Sequence, residues 1–178
     1  QKLQPGILVG ETRQFVAHPR QHGTVGLLEH RLQRPRDQFS LLLRALQQEL
    51  ARDFDAVQVL DFPGHGGNGE LTENSDFGIE AFGRYVLQWM DQNQLQQADI
   101  FGYSMGGYVA LWLALHHPQK IGRVFTLGTK FNWTPEAAAR EVKMLDPEKI
   151  EAKVPAFARD LEERHAPTNW KVLLNQTA

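Results

Sequence analysis

The chain has 178 residues, of which 42% are hydrophobic and 22% charged, with a formal net charge of −2 at pH 7. This length suits one domain with a real core, and the charge balance indicates neither nucleic acid nor an anionic membrane as a partner. Zero cysteines exclude disulfides and thiolate metal sites and fit a cytoplasmic location, and the sequence contains no transmembrane run and no signal-peptide pattern.

Strand patterns alternate with helix patterns along the chain. The strand patterns lie at 7–9, 15–17, 24–28, 57–60, 98–101 and 123–126. The first two form a hairpin or one bent strand. The helix patterns lie at 39–50, 82–90 and 107–115. The last helix is apolar all round, which predicts that it is buried. This alternation predicts an α/β fold with a parallel sheet covered by helices on both faces.

After Gly128 the pattern becomes charged and helical. Thr134 and Pro135 suit a helix cap and a first helical position. Helices are predicted at 137–145, 147–165 and 169–176. Residues 154–160 also imitate a strand that ends in an acid, but the apolar residues of this stretch have helical spacing, which favours a helix.

The most specific pattern is the run Gly102-Tyr103-Ser104-Met105-Gly106. It fits G-x-S-x-G, in which a serine stands on a strained strand-to-helix turn and glycines allow the strand and helix to approach closely. A strand pattern precedes the run and an apolar helix pattern follows it, as the motif requires. A glycine-rich turn with an incidental serine is the alternative interpretation.

A second motif lies about forty residues earlier, where the strand at 57–60 enters the loop Asp61-Phe62-Pro63-Gly64-His65-Gly66. With both motifs in this order, the chain resembles the α/β-hydrolase superfamily from about residue 25 to its end. The resemblance implies a doubly wound, mostly parallel sheet with the site at the carboxyl ends of its strands. It also implies a helical cap after the sixth strand, which divides the chain into a core at 1–129 and a cap at 130–178. Plain surface helices are the alternative for the second segment.

The resemblance also implies roles for individual residues. Ser104 is the expected nucleophile, and the backbone N–H of Met105 is the expected oxyanion donor. Aligning residues 27–28 with an earlier strand places His30 and Arg31 at the family's His-Gly position, which makes Arg31 the second donor although arginine replaces glycine. The expected pocket and loop residues are His30, Gly64, His65 and Tyr103.

The family's acid and histidine have no clear counterpart. Only 74 residues follow Ser104, and they contain no convincing seventh strand with an acid or eighth strand with a histidine. The chain therefore resembles a hydrolase that lacks its C-terminal third. His116 lies about 18 Å along the helix from Ser104 and cannot reach it. His65 remains as a candidate for the base, and Asp160 and His165 remain as candidates for the acid and the base.

Two functional classes follow from these patterns. The first is a serine hydrolase that cleaves a small ester, thioester or related acyl substrate. The second is a truncated or degenerate domain that binds a ligand or partner without turnover. No cofactor or metal is expected, because neither a phosphate-binding loop nor histidines and carboxylates at ligand spacing occur. The apolar strand at 124–127 could form a sheet edge, which suggests a homo-oligomer.

Overall fold

The computed structural model describes residues 13–18, 45, 48–49, 52, 56–66, 68–69 and 71–178. Among the positions predicted to be helical at 39–50, residues 45, 48 and 49 are helical. The predicted strands at 7–9 and 24–28, together with His30 and Arg31, lie outside the described residues.

Four strands of the described chain form one sheet in the order β2-β1-β3-β4. Their bounds are Arg13–His18 for β1, Ala56–Asp61 for β2, Ala98–Tyr103 for β3 and Ile121–Leu127 for β4. β1 is antiparallel to β2 and to β3, and β3 is parallel to β4. Thus β2, β3 and β4 run in one direction and end at the same edge of the sheet. The α/β fold with a mostly parallel sheet is confirmed, with β1 as the strand of opposite direction.

Six described helices complete the fold. Their bounds are Ile79–Gln92 for α1, Met105–His116 for α2, Pro135–Met144 for α3, Pro147–Lys153 for α4, Pro155–His165 for α5 and Trp170–Thr177 for α6. The predicted single helix at 147–165 is two helices, because proline at position 155 has no N–H and its ring clashes with the preceding turn. The alternative of a strand at 154–160 is wrong, since these residues belong to α5 and the position before it.

The main core lies between α1, α2 and one face of the sheet. Phe82, Val86 and Met90 follow each other at every fourth position of α1 and are fully buried. They pack with Ile100 of β3 and Leu113 of α2 in one hydrophobic cluster. α1 and α2 contact each other. Helices on both faces of the sheet, as the family pattern implies, remain a prediction.

The expectation that α2 is buried all round is wrong for one of its faces. Leu111 is exposed, and Leu115 exposes 74% of its surface. Val109, Ala110 and Leu113 are fully buried against the sheet and α1. The apolar composition of α2 therefore serves a core on one side and leaves an apolar surface on the other.

The helices after residue 134 have a smaller core of their own. Ile150 of α4, Leu161 of α5 and Trp170 of α6 belong to one buried cluster. Thr134 caps α3 as predicted, because its hydroxyl accepts a hydrogen bond from the N–H of Ala137 at 3.2 Å. The division into a core at 1–129 and a cap at 130–178 stays a prediction. Among the described helices, none has the length and hydrophobicity needed to cross a bilayer.

Candidate active site

Ser104 occupies the turn between β3 and α2 with a φ of 50° and a ψ of −114°. Residues with a side chain rarely adopt a positive φ, and such a conformation costs about 1–3 kcal/mol. The surrounding structure must therefore hold the turn in place. This strained bend is the conformation that the G-x-S-x-G pattern predicts.

Glycine is required on both sides of this bend. A Cβ atom at Gly102 would lie 2.4 Å from the carbonyl oxygen of Gly106, which is backbone and cannot turn away. A Cβ atom at Gly107 would lie 1.9 Å from the hydroxyl oxygen of Thr129. The glycines thus allow β3, α2 and the segment after β4 to approach one another around Ser104.

Hydrogen bonds to the end of β4 fix the backbone of Ser104. Its N–H donates to the carbonyl of Leu127 at 2.9 Å. Its carbonyl accepts from the hydroxyl of Thr129 at 2.9 Å and from the N–H of Gly107 at 3.1 Å. The bond from Gly107 lies within the first turn of α2, whereas the bonds with Leu127 and Thr129 join the strained bend to the end of β4 and to the segment after it.

The two neighbours of Ser104 take the positions that the pattern predicts. Tyr103 is the last residue of β3 and is buried. Met105 is the first residue of α2, and the first N–H groups of a helix have no acceptor within that helix. The positive end of the α2 dipole therefore lies next to Ser104.

The loop between β2 and α1, called here the loop after β2, begins at the same edge of the sheet. Gly64 has a φ of 80°, and its N–H donates to the carbonyl of Asn68 at 3.0 Å, which closes a tight turn. A Cβ atom at Gly66 would lie 2.5 Å from the carboxylate of Asp61. β1 lies between β2 and β3, so about 10 Å separates the ends of these two strands.

His65 is buried among aromatic rings in this loop. Its ring lies 5.6 Å from that of Phe82 and 6.0 Å from that of Phe77, and its Nδ1 donates to the carbonyl of Pro63 at 3.2 Å. Burial lowers the pKa of His65 to about 4, and the bond to Pro63 opposes this shift only in part. His65 is therefore neutral at pH 7, and its buried contacts hold the loop.

His165, at the end of α5, is also buried and contacts the same loop. Its Nδ1 accepts a hydrogen bond from the N–H of Gly66 at 3.3 Å, and its ring lies edge-on to His65 at 5.8 Å. Asp160, the acid considered together with it, forms an ion pair with Arg164 on the same helix. The structure thus brings together two histidines, 100 positions apart in the sequence, that the motifs did not connect.

Thr168 is a buried contact that the sequence analysis missed. Its hydroxyl accepts from the N–H of Leu71 at 3.2 Å and donates to the carbonyl of Gly69 at 2.9 Å. Gln176 of α6 donates to the carbonyls of Thr72 and Glu73 at 3.2 and 2.9 Å. α5, α6 and the turn between them therefore pack on the loop after β2. No signal in the sequence indicates this contact, because the residue type alone does not show that a threonine is buried.

No group of three or more histidine, aspartate or glutamate side chains in the described part of the chain could hold a metal ion. His116 and His117 lie at the far end of α2, where both rings contact Trp112. This position agrees with the expectation that His116 cannot reach Ser104, and His117 lies one residue further away.

Comparison with known proteins identifies the family. The family model for the alpha/beta hydrolase fold matches the sequence at residues 26–175, which is most of the chain. The chain belongs to the α/β-hydrolase fold family. A hydrolase structure from Pseudomonas aeruginosa shares this fold, with a TM-score of 0.54 and 22% identity over 76% of this chain and 57% of that one.

Curated relatives of this α/β-hydrolase chain match shorter segments. A 3-oxoadipate enol-lactonase 2 from Acinetobacter baylyi is 31% identical over 83 residues, which are 47% of this chain and 31% of the relative. A pimeloyl-[acyl-carrier protein] methyl ester esterase from Neisseria meningitidis is 42% identical over 65 residues, which are 36% of this chain and 23% of the relative. The matched segments thus span less than a third of either relative.

Proposed function

We propose that this protein is a serine hydrolase that cleaves a small ester, thioester or related acyl substrate, with Ser104 as the nucleophile. The observation that carries this proposal is the strained bend of Ser104, with its φ of 50°, between β3 and the first turn of α2. The names of the relatives, an esterase and a lactonase among them, support acyl cleavage.

The proposed reaction has two steps. The hydroxyl oxygen of Ser104 bonds to the acyl carbon while a base takes its proton, and the carbonyl oxygen of the substrate becomes an oxyanion. The N–H of Met105 donates to that oxyanion, and one such donor contributes roughly 3–4 kcal/mol to lowering the barrier. The intermediate expels the leaving group, which takes the proton from the base, and forms an acyl-serine. Water then hydrolyses the acyl-serine to the carboxylic acid and free Ser104.

The same proposal assigns roles to the other residues that match the family pattern. Arg31 supplies the second oxyanion N–H, and His30 and Tyr103 border the pocket. We assign Gly64 and His65 to shaping the loop rather than to proton transfer, because Nδ1 of His65 donates to Pro63 and its pKa of about 4 makes the ring a weak proton acceptor at pH 7. Residues 130–178 act as the cap. A cytoplasmic location stays a prediction.

Labelling with a fluorophosphonate tests the nucleophile. We expect an adduct on the wild-type chain and none on Ser104→Ala, because the probe reacts with activated serines. Ser75→Ala is the matched control, since Ser75 lies in a loop where its hydroxyl accepts from the N–H of Thr72. Circular dichroism checks that each variant is folded. An adduct that persists in Ser104→Ala contradicts the proposal.

The second candidate function is binding of a ligand or partner without turnover. The exposed aromatic and aliphatic side chains of β4, Phe125 and Leu127, favour it. A folded wild-type chain that forms no adduct and hydrolyses no ester supports this second function and contradicts the first.

A further inference from the structure

Three aromatic side chains form a cluster on the surface beside the Ser104 bend. Tyr108 lies on the first turns of α2, and Phe131 and Trp133 lie in the segment between β4 and α3. Phe131 exposes 64% of its surface, and Trp133 exposes 47%. We call these three residues the aromatic cluster. Exposed apolar surface of this kind next to a nucleophile is a common sign of a binding site.

Contacts within the aromatic cluster hold the rings in place. The indole N–H of Trp133 donates to the hydroxyl of Tyr108 at 2.5 Å, and that hydroxyl donates to the carbonyl of Lys130. The ring of Phe131 lies edge-on to Tyr108 at 6.4 Å. Because the rings are already ordered, a ligand that packs on them loses little side-chain entropy.

The aromatic cluster is connected to the nucleophile position through the backbone. The segment that carries Phe131 and Trp133 begins at Thr129, whose hydroxyl donates to the carbonyl of Ser104. Tyr108 follows Ser104 by four residues, a rise of about 6 Å along the helix. The backbone that carries the three rings therefore begins close to the backbone of Ser104.

The charge near the aromatic cluster is balanced. The amino group of Lys130 lies 4.2 Å from the centre of the Trp133 ring and 3.1 Å from the carboxylate of Glu141. The glutamate offsets the attraction that the lysine alone would exert on an anionic group. The surface thus suits an uncharged chain better than a chain that ends in a carboxylate.

We propose that the aromatic cluster is the acyl-binding subsite of the protein. It selects long, uncharged aliphatic acyl chains over short ones. This proposal rests on the proposed serine hydrolase function. The chain of the substrate packs on Phe131 and Trp133 while its carbonyl carbon lies at Ser104. Each methylene removed from water strengthens binding severalfold.

Hydrolysis of two esters tests the proposal. We expect the wild type to hydrolyse p-nitrophenyl octanoate with a higher kcat/KM than p-nitrophenyl acetate. Phe131→Ala and Trp133→Ala should each lower kcat/KM for octanoate by about tenfold and leave acetate within about twofold. Leu115→Ala is the matched control, because Leu115 is also exposed, at 74%, but lies near the far end of α2, outside the aromatic cluster. Equal losses for both esters, or no loss, would overturn the subsite.

Binding without turnover separates this proposal from the proposed function. Methyl octanoate, an uncharged ester, is titrated into Ser104→Ala, alone and combined with Phe131→Ala or Leu115→Ala, in a calorimeter. We expect the Phe131 substitution to weaken binding of the ester about tenfold and the Leu115 substitution to leave it unchanged. If this pattern appears but the wild type hydrolyses no ester, the subsite stands and the hydrolase function fails. If methyl octanoate does not bind, or binds equally to all three variants, the subsite is overturned.

Discussion

The positive φ of Ser104 strains its backbone, and glycine in the same conformation would not be strained. We expect Ser104→Gly to raise the free energy of unfolding by about 1 kcal/mol, because glycine adopts a φ of 50° without a steric penalty. The melting temperature should rise by about 2–4 °C. Thermal unfolding followed by circular dichroism measures this gain, and the same variant should form no adduct with a fluorophosphonate.

Two control variants separate strain from chemistry. Ser104→Ala removes the hydroxyl but keeps a Cβ atom, so it should form no adduct and show no comparable gain in stability. Gln94 also has a positive φ, of 59°, but lies after α1 and outside the site. Gln94→Gly should therefore give a similar gain without loss of labelling. A Ser104→Gly variant that is less stable than the wild type would contradict the strain assigned to this bend.

At the scale of elements, the turn between α5 and α6 is held to the loop after β2 by one buried hydroxyl. We expect Thr168→Val to lower the free energy of unfolding by about 2–3 kcal/mol, because the N–H of Leu71 and the carbonyl of Gly69 both lose their bond to Thr168. Valine has nearly the same shape, so little packing is lost. Urea unfolding measures the change, and hydrogen exchange at Leu71 should become faster.

Thr177→Val is the matched control for this prediction. The hydroxyl of Thr177 donates to the carbonyl of Leu173 within α6, at an exposed position. Its loss should change the free energy of unfolding by less than about 0.5 kcal/mol. If both substitutions lower the free energy of unfolding equally, the buried contact of Thr168 stabilises the fold no more than an exposed hydrogen bond does.

The buried loop histidine predicts how stability depends on pH. The pKa of His65 is about 4 in the folded chain and about 6.5 in an unfolded one, so between these values only the unfolded chain binds the proton. The free energy of unfolding should therefore be highest above pH 6.5. As pH falls toward 4 it should drop, by up to about 3 kcal/mol from this group. Urea titrations at several pH values measure the profile.

His65→Asn isolates the contribution of this histidine. Asparagine can still donate to the carbonyl of Pro63, but it does not titrate. Above pH 6.5 the variant should be the less stable protein, because the smaller side chain leaves a cavity beside Phe82. The difference should shrink as pH falls toward 4. Two parallel profiles would mean that His65 does not titrate with a lowered pKa.

Local patterns predicted the elements well, because the residues that determine them are neighbours in the chain. The bend at Ser104 needs only the glycines beside it and a strand and helix on either side. The contact between His165 and Gly66 joins residues 99 positions apart, and no local pattern encodes such a pair. The exposure of Leu111 and Leu115 was missed for a related reason, since an apolar composition does not tell which side of a helix is covered.

At the scale of the whole molecule, β4 lies at one edge of the sheet formed by the described strands. Phe125 and Leu127 expose apolar side chains there, and an apolar strand edge can pair with another chain. We therefore propose that the protein self-associates through β4 as its concentration rises. Light scattering after size-exclusion chromatography should give a mass that increases with concentration, and Phe125→Lys should keep the mass at that of one chain.

Val142→Lys is the control for the added charge, since Val142 is exposed on α3, away from the sheet. This variant should associate as the wild type does. If Val142→Lys reduces association as strongly as Phe125→Lys, net charge rather than the strand edge governs it. A constant mass for the wild type at every concentration would contradict self-association.

The hydroxyl of Thr129 links the Ser104 bend to the aromatic cluster. It donates a hydrogen bond to the carbonyl of Ser104, and the segment that begins at Thr129 also carries Phe131 and Trp133. A ligand that packs on these two rings therefore contacts the segment that fixes the backbone of Ser104. Under the proposed hydrolase function, we expect the length of the acyl chain to affect kcat as well as KM.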